Sequence, residues 1–157
     1  MNRPLIRRLP IALAAIGVLL VMAAAAVGAT PTSITLELQG GYNNQEVTKC
    51  GSLHHWTMYH LYAKQTMDGT LSPPPGLADG TWRVKIKVKK CVLGAWKVVA
   101  QPHVYGNTTT DSNGNKVAVF KWTHKLGARG FFKASAYYYT SSTTSIQSDD
   151  VHYHVTY

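Results

Sequence analysis

The chain predicts an all-β fold, a two-sheet β-sandwich of about seven short antiparallel strands. Three observations carry that expectation. Beyond residue 29 no apolar stretch repeats at helical spacing, whereas several alternate with period two, which places one side of a strand in a core and the other in water. Clusters of Gly, Pro, Asn, Ser and Thr separate these stretches at short intervals, as the turns of a sandwich require. Finally, 157 residues less the first 29 leave 128, enough for one domain to bury a real core.

The first 29 residues are set apart because they read as an address. Arg3, Arg7 and Arg8 precede an uncharged run from Pro10 to Ala29, and Val27-Gly28-Ala29 offers the small side chains that a signal peptidase accepts. Residues 1–29 are therefore expected to be a cleaved signal peptide, and residues 30–157 the secreted domain. Retention of residues 11–29 as a membrane anchor is the alternative, since that run is long enough to span a bilayer. Loss of three of the 16 basic residues leaves 13 against 7 acidic ones, a balance of +6. Such a field favours an anionic cell-surface polymer, glycan or lipid, and export removes nucleic acid from the expected physiological partners.

The strands follow in order. Ile34 to Leu38 alternates with Ile34, Leu36 and Leu38 on one face, and Trp56 to Gln65 is rich in aromatic and β-favouring residues. Between them Gly40-Gly41-Tyr42-Asn43-Asn44 is turn chemistry, and Pro73-Pro74-Pro75-Gly76 marks a surface loop over 71–80. From Trp82 the alternation is cleanest. Trp82, Val84, Ile86 and Val88 point inward, and Arg83, Lys85, Lys87 and Lys89 point to water. Gly94 turns the chain into a hairpin partner over 95–101, and a polar connection follows over 107–115. Further strands are expected over 116–124, with Phe120 and Trp122 on one face, over 131–140, and over 151–157.

Cys50 and Cys91 are the only cysteines, and an even pair in an exported chain is expected to form a disulfide. A zinc site would need a Cys-x-x-Cys partner that the chain lacks.

The run Gly130-Phe131-Phe132-Lys133-Ala134-Ser135-Ala136-Tyr137-Tyr138 lies between one strand and a last hairpin. It resembles the penultimate strand of immunoglobulin-like and fibronectin-type modules of secreted bacterial proteins, and the pattern covers nearly all of residues 30–157. The resemblance implies an immunoglobulin-like sandwich that binds, spaces or decorates without catalysis. Phe132 stands where a corner tyrosine would sit and Ala134 where the second inter-sheet cysteine would, so Cys50 and Cys91 would staple a loop to a strand end instead.

That sheet order would also set the strands at Trp82, Phe131 and Val151 side by side. Their merged outer face would carry Arg83, Lys85, Lys87 and Lys89 beside Phe131, Lys133, Tyr137 and Tyr139, with His152 and His154 at the far side. Same-face cations about 7 Å apart lie within one Debye length and reinforce one another. An anionic polymer or glycan could track them, with rings stacking on the aromatics. The plainer reading is a lysine row that keeps a sheet face soluble and unpaired.

Other constellations are thinner. His152 and His154, at i and i+2, aim two imidazoles to one side, but a metal needs a third ligand from His54, His55, His60, His103 or His124. They remain weak candidates, and no metal or cofactor is expected. Asp111-Ser112-Asn113-Gly114-Asn115 resembles a calcium loop, but Trp122 stands in place of its bidentate acid, which favours a hairpin turn. No Gly-x-Ser-x-Gly element is present, and Asp149-Asp150 are neighbours that point to opposite faces if extended. The chain is therefore expected not to be an enzyme.

Overall fold

The computed structural model describes residues 29–157. The signal peptide or anchor expected at the N-terminus lies outside the described residues, Ala29 apart. Twelve strands run along the chain: β1 (Ser33–Ile34), β2 (Glu37–Gln39), β3 (Asn43–Lys49), β4 (Ser52–His60), β5 (Lys64–Ser72) and β6 (Arg83–Val92). They continue with β7 (Ala95–Ala100), β8 (His103–Thr110), β9 (Lys116–Lys125), β10 (Gly130–Tyr139), β11 (Ser145–Gln147) and β12 (Val151–Thr156). The described residues hold no helix, so residues 29–157 are all-β.

The strands form one open mixed sheet in the order β1-β5-β9-β8-β6-β10-β12-β4-β3, with β2 on β5, β7 on β6 and β11 on β10. All pairings are antiparallel except that of β12 with β4. This corrects the expected two-sheet sandwich of about seven antiparallel strands. Continuity comes from β8, whose residues 103–105 pair with β6 and 106–110 with β9, joining what would otherwise be two separate sheets. The extra strands carry weak alternation. β3 is exposed along nearly its whole length and β8 is largely polar, so backbone pairing, not an apolar face, makes them strands. The run over 56–65 also breaks, at Tyr62, whose φ of 67° turns β4 into β5.

Both arms of the sheet bury one common core. Met67, Leu71, Ala118 and Phe120 from β5 and β9 meet Val84, Ile86, Ala134, Ala136, Tyr153 and Val155 from β6, β10 and β12. The inward set of β6 and of the residue before it is as the alternation requires, since Trp82, Val84, Ile86 and Val88 are all buried. Each such aliphatic side chain stabilises the fold by about 1.5–3 kcal/mol relative to exposure. The indole of Trp82 lies against the backbone of Gly106, where an added Cβ would come within 1.9 Å of the ring. A glycine at the crossover of β8 is what lets that strand pass over the tryptophan.

Two hairpins flank the outer face. Cys50-Gly51 joins β3 to β4 with φ of 47° and 86°, and Leu93-Gly94 joins β6 to β7 with φ of 50° and 79°. Two-residue loops with both φ values positive match the twist of the strands they connect. The first tip is bonded to the end of β6 by the Cys50–Cys91 disulfide, with Cα atoms 6.0 Å apart, so the expected staple is present.

Candidate functional site

The strands β6, β10 and β12 lie side by side, and their outward residues fall into register. Across β6 and β10, Lys85 faces Tyr137, Lys87 faces Ser135 and Lys89 faces Lys133. Across β10 and β12, Lys133 faces His152 and Phe131 faces His154. Period-two alternation on three adjacent strands thus gathers the basic and aromatic residues singled out in the sequence. Their surroundings divide the face into two halves.

The half over β12 and β4 is filled by its own side chains. Trp56 is fully buried here, outside the main core, with its ring edge-on to Phe131 at 4.9 Å and to His152 at 5.2 Å. Its Nε1 donates to the Val47 carbonyl at 2.8 Å. His54 stacks on His152 at 3.7 Å, Phe131 stacks on His154 at 3.9 Å, and Trp96 of β7 closes the group from the other side. Lys133 lies 5.1 Å from the Trp96 ring centroid, and its ammonium donates to Asp150. Its charge is therefore matched within the fold.

The electrostatics of this half follow from that packing. Burial pushes the His152 imidazole down to about 4, aided by the neighbouring His54 and Lys133 and opposed by Asp150. His154 is lowered by burial and by Lys49. Burial alone would raise the Asp150 carboxyl, but hydrogen bonds from Lys133 and Ser135 and the charges of Lys133 and His152 outweigh it and hold it below the usual range. His152 and His154, the weak metal candidates, are each engaged in a ring stack. Among the described residues no three His, Cys, Asp or Glu side chains converge as a metal site would need.

The half over the N-terminal part of β6 is open. Arg83, Lys85, Lys87 and Lys89 project from one strand, and among the described residues none has a carboxylate within ion-pair distance. The Lys87 ammonium sits 4.4 Å above the Tyr137 ring, and Tyr139 is 48% exposed. A cation over an aromatic face keeps its charge available to solvent while its stem is packed. His103 of β8 stands opposite Lys85 and adds to this group. The sequence points to His103 only as a possible third metal ligand and not as a neighbour of Lys85, because no strand is expected over 103–106, although His103-Val104-Tyr105-Gly106 alternates in burial as a strand should.

The remaining candidates resolve simply. Asp111 accepts backbone hydrogen bonds from Asn113 and Asn115, both at 2.9 Å, and the side-chain amide of Asn115. Those bonds, that from Asn115 foremost, lower its carboxyl and make the segment a self-capped turn. Trp82 is a core residue, and Trp122 stacks on His124 at 3.9 Å, so neither offers a flat exposed platform. No known protein family matches the chain, and no curated protein is detectably similar to it in sequence.

Proposed function

We propose that this chain is a secreted or cell-surface, non-catalytic binding module that holds an anionic cell-wall polymer or glycan on the open half of its basic face. The observation that carries the reading is the row Arg83, Lys85, Lys87 and Lys89, unmatched by any carboxylate of the described residues and flanked by Tyr137 and Tyr139. A linear polyanion needs charges in a row with rings beside them, and Lys87 over the Tyr137 ring sets one of these charges against such a ring. Export is part of the proposal, supported by the basic, apolar, small-residue order of residues 1–29 and by a disulfide suited to an oxidising compartment. So is kinship with secreted immunoglobulin-like and fibronectin-type modules, supported by the adjacency of β6, β10 and β12.

Retention on immobilised heparin and on isolated cell-wall polymer tests the reading. The parent protein is expected to elute at moderate salt, and the Lys85→Ser, Lys87→Ser double variant earlier, because each lost phosphate or sulfate contact reduces the salt dependence of binding. Equal elution of parent and variant supports the competing reading, a module whose lysines only solubilise a sheet face.

A further inference from the structure

The ladder between β6 and β10 stops at Lys85 and Tyr137, yet both strands continue beyond it. β6 extends to Arg83, paired there with Tyr105 of β8, and β10 extends to Tyr139, paired with Ser145 of β11. The two strands therefore part, and the gap is a notch of about 340 Å³. That volume is within the range of small-ligand sites. Arg83 and Lys85 enter it from β6, His103 from β8, and Ser141 and Ser142 from the turn between β10 and β11. Trp82 forms part of the wall. It is 2% exposed, and its indole N–H is buried without a partner in the protein.

These groups share one chemical property. Guanidinium, ammonium and indole N–H are donors with no acceptor capacity, and the imidazole and hydroxyls can donate as well. No carboxylate of the described residues lines the notch. A buried donor left unpaired costs about as much as a lost hydrogen bond, and the unpaired Trp82 N–H belongs to a residue of the notch wall. Arg83 alone offers a planar fork that also suits a carboxylate, but Lys85, His103 and the two serines come from separate elements, and a tetrahedral sulfate or phosphate has further oxygens to meet them. Tyr139, exposed at the rim, offers a ring face to a sugar.

We propose that the notch between β6 and β10 is an oxyanion subsite that takes one sulfate or phosphate ester carried by a glycan. The inference deepens the proposed function and rests on it for the polymer, while the notch itself can be probed with small esters.

Calorimetric titration at low salt would use a heparin-derived sulfated disaccharide, glucose 6-phosphate and a galacturonic acid disaccharide. Binding of at least one ester, about tenfold tighter than the uronate, is expected, and whichever ester binds more tightly identifies the source of the oxyanion. Trp82→Phe, which keeps an aromatic side chain and removes the N–H with its five-membered ring, and His103→Ala, an exposed change that spares the core, should each weaken ester binding by about tenfold, as loss of one charge-assisted or buried hydrogen bond does. Lys121→Ser, on β9 and away from the notch, should leave it unchanged. Uronate binding equal to ester binding, or ester binding indifferent to both notch variants, overturns the subsite. Polymer retention that persists while no ester binds also overturns the subsite but leaves the basic face standing. Failure of the parent protein to retain any polymer overturns the broader reading instead.

Discussion

Lys85 and Tyr137 form the last rung of the ladder that joins β6 to β10. Over β12, β4 and β7 the outer face is spent on itself, with Trp56, Phe131, His54 and His152 packed ring against ring and Lys133 bonded to Asp150. Beyond that rung the strands separate, and Arg83, Lys85 and His103 face a notch with no carboxylate of the described residues in its wall. One continuous stripe of basic and aromatic residues thus serves stability at one end and leaves chemistry unspent at the other. The division comes from the disulfide-pinned hairpin and β7, which cover only one end.

The covered end makes Lys133 a stability residue. Its side chain is 18% exposed and that of Asp150 is 28% exposed, so Lys133→Met strands a carboxylate in a poorly solvated place. The expected cost is about 1–3 kcal/mol, read as a lower urea midpoint. The double variant Lys133→Met, Asp150→Asn should recover part of that loss, because both charges leave together. Additive losses in the double variant would show that the pair does not interact.

The Cys50–Cys91 bridge spans a sequence separation of 41 residues. Chain-entropy arguments give a bridge of that span about 4 kcal/mol of stabilisation. The Cys50→Ser, Cys91→Ser variant should therefore unfold at clearly lower urea concentration while keeping β-rich circular dichroism, since neither sulfur belongs to the main core. Because the tip of the β3–β4 hairpin is released, hydrogen exchange should rise first in Asn43–Lys49. A midpoint equal to that of the oxidised parent would contradict this account.

How legible the fold was depended on whether burial or pairing made each strand. Val84, Ile86 and Val88 announce β6 because one face is wholly buried and the other wet, and Phe120 does the same for β9. Asn43–Lys49 and His103–Thr110 have no such contrast, since one is an exposed edge and the other crosses between two arms of the sheet. The face was legible by parity alone. Its division was not, because Trp56, Trp96 and His54 reach it from β4 and β7, and no local pattern says which strands will lie beside β12. The notch depends on where a ladder ends, a property of register that only the folded chain defines.

Gly106 is the position where β8 changes partner, and its missing side chain is filled by Trp82. Gly106→Ala forces the indole or the strand to move, an overpacking expected to cost about 1–3 kcal/mol. Because Trp82 also walls the notch, the folded variant should bind sulfate or phosphate esters more weakly than the parent. Gly114→Ala provides the contrast. Its φ of 81° strains an alanine, but nothing lies within 4 Å of the added Cβ, so stability falls without any change in ester affinity. Differential scanning calorimetry and ester titration on both variants separate the two effects, and an unperturbed Gly106→Ala protein would contradict the close contact.

Acid should loosen the covered end of the face first. The His152 imidazole is held at about 4 in the fold, against 6.5 when free, so between those values the unfolded chain binds its proton more readily than the folded one. The stability that depends on a neutral ring is therefore complete above about pH 6.5 and drains away as pH falls towards 4. His154 and His124, lowered by burial, act in the same direction. Asp150, held low by Lys133 and Ser135 against the effect of its burial, adds a later loss as it protonates below its ordinary 3.8. Solvent screens a half-exposed ring, so the His152 contribution is about 1–2 kcal/mol, seen as a lower melting temperature at pH 4.5 than at pH 7. His152→Phe keeps a ring against His54 and Trp56 but removes the proton site, and its melting temperature should vary less over the same interval. A parent protein whose melting temperature is flat from pH 7 to 4.5 would show that the stacked imidazoles are not held neutral by their packing.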